Sequence, residues 1–123
     1  MRVGVDLMSV GELERLRARR WFDGYAFAPA ELSEAAGLSD ARAREFLAGR
    51  FAAKEAVLKA FRMGLFQGVA PREIVVARAS SGAPEVTLHG AARTAADAAG
   101  VRHLDVSITH KGDLVVAVAA GWS

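Results

Sequence analysis

The spacing of hydrophobic positions changes several times along the chain, and each change marks an element. Val3, Gly4, Val5, Leu7 and Met8 form a short run of strand type broken by one carboxylate, Asp6, which predicts a buried strand ending near Asp6 to Met8. Val10, Leu13 and Leu16 then recur at helical spacing among Glu12, Glu14, Arg15, Arg17, Arg19 and Arg20. They predict a short amphipathic helix from Val10 to Arg20 whose exposed side is dense in arginine. The aromatic stretch from Trp21 to Phe27 reads as a turn, Pro29 opens a short helix, and Gly37 stops it. Ser39 and Asp40 offer an N-cap for a long helix from about Ala41 to Phe61. Projected at about 100° per residue, it carries Arg50 and Lys54 on one strip and Glu55, Lys59 and Arg62 on another, with apolar residues nearly everywhere else. Such a helix belongs at the centre of a fold, and its charges need partners.

Beyond the 64–71 connection, Glu73 to Arg78 and Glu85 to His89 read as strands joined by a turn at Ser80 to Pro84. Ala91 to Ala99 is a helix closing at Gly100, and Asp105 to His110 with Leu114 to Ala119 forms a second hairpin. The order is α+β: one domain over residues 1–123, with a mostly antiparallel sheet wrapped around a long central helix.

Of the 123 residues 52% are hydrophobic, but 26 are Ala, so the core is modest and oligomerisation is an expected supplement. The absence of Cys excludes disulfides, a thiolate nucleophile and Cys-ligated zinc. No secretory h-region follows Met1 and no apolar run approaches a membrane span, so a soluble, cytoplasmic chain is expected, with no membrane partner. A net charge of +2 is too weak to argue for nucleic acid. The cations are 13 Arg and 3 Lys, and the three Lys fall in the two segments with the most chemistry.

Asp6 allows two readings: an outward carboxylate at a strand end that caps the next helix, or a hard-cation ligand, since an unpaired carboxylate inside such a strand costs several kcal/mol to bury. Glu55 likewise allows an ordinary ion pair with Lys59 one turn on, or a ligand that joins Asp6 in the small carboxylate set Mg²⁺ accepts. His110 beside Lys111 reads as a surface pair or as a phosphate contact.

Taken together, Gly4-Val5-Asp6, Arg50-Phe51-Ala52-Ala53-Lys54-Glu55-Ala56-Val57-Leu58-Lys59, Gly82-Ala83-Pro84 and Val106-Ser107-Ile108-Thr109-His110 closely resemble the small holo-acyl-carrier-protein synthases, the 4′-phosphopantetheinyl transferases. The resemblance spans nearly the whole chain. It implies Mg²⁺ held by Asp6 and Glu55, with Glu55 and Lys59 catalytic. Coenzyme A would lie along Arg50, Lys54, Lys59, Gly64, Pro84, Thr109 and His110. Glu55 or a metal-bound water would be the base, and 3′,5′-ADP would leave. It also implies an acidic acyl carrier protein, of fatty-acid or polyketide synthesis, docked on Arg15, Arg17, Arg19 and Arg20, with Met8, Leu16 and Trp21 as apolar contacts, and a homotrimer with active sites between subunits. Two positions depart from the pattern: Arg62-Met63-Gly64 stands where the family usually has Gly-x-Gly, and Ala83 where the turn usually carries a basic residue. The alternatives are a non-catalytic basic module for nucleic acid or an acidic protein, and a degenerate subunit retained for assembly.

Overall fold

The structure is a computed structural model and describes residues 1–123. Its elements in chain order are β1 (Arg2–Ser9), α1 (Val10–Arg17), α2 (Phe22–Ala26), α3 (Pro29–Ala36), α4 (Asp40–Ala60), a 3₁₀ turn (Pro71–Glu73), β2 (Ile74–Arg78), β3 (Pro84–Leu88), α5 (Gly90–Ala98), β4 (His103–Lys111) and β5 (Leu114–Trp122). The antiparallel strands divide into a three-stranded sheet, β1-β5-β4, and a two-stranded sheet, β2-β3. The expected α+β class and central helix hold. Several boundaries differ: α1 stops at Arg17, leaving Arg19 and Arg20 beyond it, the aromatic turn contains the short helix α2, Glu73 falls in the 3₁₀ turn before β2, and β4 and β5 extend to His103 and Trp122.

α4 is the axis of the molecule. Ser39 caps it by accepting from the Arg42 N–H, and from Leu47 to Ala60 every residue except Glu55 and Lys59 is buried. Its small residues Ala52, Ala53, Ala56 and Ala60 let strands approach closely. The tightest approach is at Gly4, where a Cβ would stand 1.9 Å from the Ala56 carbonyl oxygen and 2.7 Å from the Ala60 nitrogen. Glycine there is what allows β1 to lie on the helix backbone.

The pleat of β1 follows from that contact. Gly4, Asp6 and Met8 turn inward, while Val3, Val5 and Leu7 turn outward and are 61%, 53% and 63% exposed. Val5 pairs with Val118 and Leu7 with Val116, so the outer face is apolar across β1 and β5, while β4 adds the polar residues Asp105, Ser107 and Thr109 at its edge. Asp6 is therefore buried, and its alternative reading as an outward cap does not hold: Ser9 caps α1, accepting from Glu12 N–H in a reciprocal capping box.

Candidate active site

Asp6 comes to the site from the inner side of β1, and Glu55 and Lys59 from α4, one turn apart. Lys59 Nζ donates to Asp6 Oδ1 at 3.0 Å and to the Val5 carbonyl at 3.1 Å, so the lysine bridges helix and strand instead of pairing with Glu55 along the helix. The other Asp6 oxygen, Oδ2, is buried and has no hydrogen-bond partner. Burial pushes Glu55 up to about 7, helped by the charge of Asp6 and a hydrogen bond to its carboxyl, and opposed by Lys59. While both acids are ionised neither can donate to the other, and Asp6 Oδ2 is left without a partner. Two carboxylates that cannot comfortably ionise together, one with an orphaned oxygen, are a donor set suited to a hard divalent cation. The structure has no cluster of three or more His, Asp or Glu side chains able to hold a metal, so water and substrate oxygens would complete the coordination. Beside the carboxylates lies a cavity of about 50 Å³, lined by Glu55, Lys59, Met63, Gly64 and Leu65.

Arg50 and His110 lie elsewhere on the chain. Arg50 precedes Glu55 by five positions, roughly 140° around the helix, and faces a cavity of about 290 Å³ lined with Arg42, Arg78, Gly82, Pro84 and His110. Its guanidinium stacks over Phe46 at 4.4 Å, and its Nε is buried without a partner. Burial holds this arginine below its usual range; Glu34 opposes that shift and Arg78 adds to it. His110 Nε2 lies 3.1 Å from Glu45 Oε1, so the expected pairing with Lys111 is replaced by one across to α4. Thr109, the next residue back on β4, is exposed and pairs in register with Val116 of the outer apolar face. Arg42 and Arg78 carry no motif. They join Arg50 only because α4 and the end of β2 meet at this cavity.

Lys54 is the clearest correction. Expected beside the coenzyme's phosphates, it is fully buried, and its ammonium is bound to Glu31 of α3 and to the Pro71 carbonyl. Glu31 also accepts from Ala28 N–H at 2.8 Å and Val76 N–H at 2.9 Å, so one buried pair ties α3, α4 and β2 together. Burial lowers the Lys54 pKa, and the Glu31 carboxylate opposes that shift. An ammonium so enclosed does not reach a ligand.

The residues expected to meet the carrier differ in exposure. Arg15, Arg19 and Arg20 are exposed, and Trp21 is 49% exposed. Arg17 is held by Asp23 through two hydrogen bonds of 2.9 and 3.0 Å, and Met8 is buried beneath the sheet, so neither is free to dock a partner. Leu16 is half-buried against the core. Tyr25 and Phe66 adjoin Trp21: their rings stack with centroids 5.0 Å apart, Trp21 lies 5.9 Å from Phe66, and Phe66 is 68% exposed. An aromatic at position 66, in a segment without periodic pattern, gave no signal of its own.

Fold and site together define a small α+β transferase. Residues 2–119 match the model of a family described as the 4′-phosphopantetheinyl transferase superfamily. The holo-[acyl-carrier-protein] synthase of Herpetosiphon aurantiacus is 40% identical over 124 residues, covering 96% of this chain and 95% of the relative. Among solved structures, the holo-[acyl-carrier-protein] synthase of Neisseria meningitidis superimposes with a TM-score of 0.86 at 28% identity, covering 99% of this chain and 98% of its own. That of Bacillus anthracis, solved in complex with coenzyme A (3′,5′-ADP), gives 0.80 at 28% identity over 98% and 94%. The chain belongs to the 4′-phosphopantetheinyl transferase superfamily and, within it, to the holo-[acyl-carrier-protein] synthases.

Proposed function

We propose that this chain transfers the 4′-phosphopantetheine arm of coenzyme A to a serine hydroxyl of an acidic apo acyl carrier protein of fatty-acid or polyketide synthesis. The reaction uses Mg²⁺ and releases 3′,5′-ADP. The observation that carries this reading is the buried, unpartnered Asp6 Oδ2 beside a Glu55 that resists ionisation, with Lys59 bridging to Asp6.

Asp6 and Glu55 would hold Mg²⁺, which when bound neutralises charge on the coenzyme's diphosphate oxygens. Lys59 is half exposed and so can exchange part of its contact with Asp6 and Val5 for a phosphate oxygen. Serine Oγ attacks the β-phosphorus in line, the bond from phosphorus to the oxygen of the departing 3′,5′-ADP breaks, and the serine proton passes to a base. Glu55, whose proton affinity lies near neutrality, is the candidate for that base. Arg50, with Arg42, Arg78 and His110 around the larger cavity, would hold the nucleotide end; Glu34 and Glu45 also line it, Glu45 is paired with His110, and none of the three arginines is in an ion pair. Gly64, Pro84 and Thr109 would line the path of the coenzyme.

One helix cannot point Arg50 and Glu55 into one site, because they stand roughly 140° apart around it. A second copy of the chain can supply the missing half. The exposed apolar face formed by Val3, Val5, Leu7 and Val118 is the surface for that contact, and a cytoplasmic homotrimer is the assembly we propose. Arg15, Arg19 and Trp21 form the docking surface for the carrier, where basic residues steer an acidic partner.

Incubation with an apo-carrier, coenzyme A and Mg²⁺, followed by intact-mass spectrometry, should show the carrier gaining one phosphopantetheine group, with the gain abolished by EDTA. Absence of the gain across several fatty-acid and polyketide carriers would refute the reading.

A further inference from the structure

α4 ends in a helix-closing motif with an unusual occupant. Arg62 N–H donates to the Lys59 carbonyl at 2.9 Å and Met63 N–H to the Leu58 carbonyl at 2.8 Å, the pair of bonds that defines a Schellman motif. The position between them is left-handed and is usually glycine. Here it is Arg62, with φ 61°. Only one other non-glycine residue has a positive φ, and it is Phe66, four positions on, at 62°. Between the two, Met63, Gly64 and Leu65 line the small cavity with Glu55 and Lys59.

This loop is tied at both ends. At one it continues the helix that carries Glu55 and Lys59. At the other, Phe66 N–H donates to Tyr25 Oη at 3.1 Å and the Phe66 ring packs on Tyr25 and Trp21, next to the arginines that follow α1. The Arg62 side chain is exposed, makes no hydrogen bond or ion pair, and does not line the cavity. A cation at a helix C-terminus is favourable, but Lys59 already occupies the last turn of α4. Helix closure alone is thus better served by glycine, and strain of this kind is informative when it persists beside a site.

We propose that Arg62 reads the carrier protein. With the carrier seated on Arg15, Arg19, Trp21 and Phe66, Arg62 pairs with an acidic side chain near the acceptor serine. This rests on the transferase reading above. The choice of carrier over coenzyme follows from the side chain lying outside the cavity and on the same loop as the exposed Phe66.

The test compares wild type with Arg62→Gly and Arg62→Lys, varying apo-carrier at saturating coenzyme A and then the reverse. For Arg62→Gly the expected result is a KM for carrier raised roughly 3- to 10-fold, an unchanged KM for coenzyme A, and a Tm raised by about 2–5 °C as the left-handed strain is relieved. Arg62→Lys should keep most of the carrier affinity. An unchanged carrier KM in Arg62→Gly, a rise confined to coenzyme A, or a fall in Tm overturns the proposal. Wild-type turnover separates the two levels. An active wild type with an indifferent Arg62→Gly removes the role of Arg62 alone, whereas a wild type inactive on every carrier removes the transferase reading and this proposal with it.

Discussion

Replacing Lys54 with Met separates two accounts of the same residue. If Lys54 were a phosphate ligand, the variant would fold normally and lose about 10-fold or more in KM for coenzyme A, the loss of one charge-assisted hydrogen bond. The structure requires a different result. Lys54 and Glu31 are 0% and 2% exposed, so removing the ammonium leaves a carboxylate enclosed in the core. Breaking a buried pair from one side costs about 3–5 kcal/mol. The lower end applies here, because Glu31 keeps the Ala28 and Val76 N–H donors. About 3 kcal/mol corresponds to a Tm lowered by about 10–15 °C in a domain of this size. Glu31→Ala should be worse, since it strands the ammonium with only the Pro71 carbonyl and frees the buried Val76 N–H and the part-buried Ala28 N–H. In the double variant Glu31→Ala/Lys54→Met no buried charge remains, and its loss of stability should fall well short of the sum of the singles. Thermal melts give the stabilities, and kinetics on the folded fraction at low temperature give KM. An unchanged Tm with a raised coenzyme A KM, or strict additivity in the cycle, would refute the buried-brace account.

Other consequences are more compact. Glu55 binds its proton more tightly folded than unfolded, so the folded state carries the extra proton between about 4.5 and about 7 and stability should fall as pH rises through that window. Glu55→Gln should flatten the slope in chemical denaturation across pH 4–8, and a slope unchanged by the substitution would remove Glu55 as its source. At pH 8, Mg²⁺ should raise the Tm of wild type but not of Asp6→Asn; equal shifts in both would disprove the metal site. Gly4→Ala drives a methyl into the Ala56 carbonyl and should cost about 3 kcal/mol by urea titration. A neutral Gly4→Ala would mean that β1 does not lie on the helix as described.

What the sequence made legible was mostly local. Helical spacing found α4, alternation found the hairpins, and the isolated Asp6 in an apolar strand marked a residue that needs a partner. The reading of Lys54 failed for a physical reason. Two lysines one turn or so apart on an apolar helix look alike until their surroundings are known, and Lys54 is decided by Glu31, 23 positions away on a separate helix. Glu31 itself resembles any acid in the first turn of a helix. Arg42 and Arg78 were invisible for the same reason, since nothing local to either marks the cavity they share. The inward side of β1 depends on a single glycine. Alternation alone would have turned Val3, Val5 and Leu7 to the core, and only the backbone contact at Gly4 reverses that choice.

The same reversal exposes the apolar sheet face and brings the question of assembly to a decisive experiment. Asp6, Glu55 and Lys59 sit on one side of α4, and Arg50 with His110 on another, so the site proposed above needs halves from two subunits. If the working site forms between subunits, Glu55→Gln and Arg50→Ala should each be inactive as pure oligomers. Mixing them under conditions that exchange subunits should restore activity at interfaces where an intact Glu55 half faces an intact Arg50 half. For random 1:1 assembly in a closed ring each interface draws its halves independently, so about a quarter of sites are whole. Recovery near that fraction of wild-type turnover, absent when either protein is first cross-linked, is the expected result. No recovery from exchanged oligomers, verified by native mass spectrometry to be mixed, would place both half-sites in separate functions and end the shared-site reading. Val5→Lys gives the matching control: a charge at the centre of the exposed apolar face should dissociate the oligomer and remove activity while leaving the monomer's helix content intact.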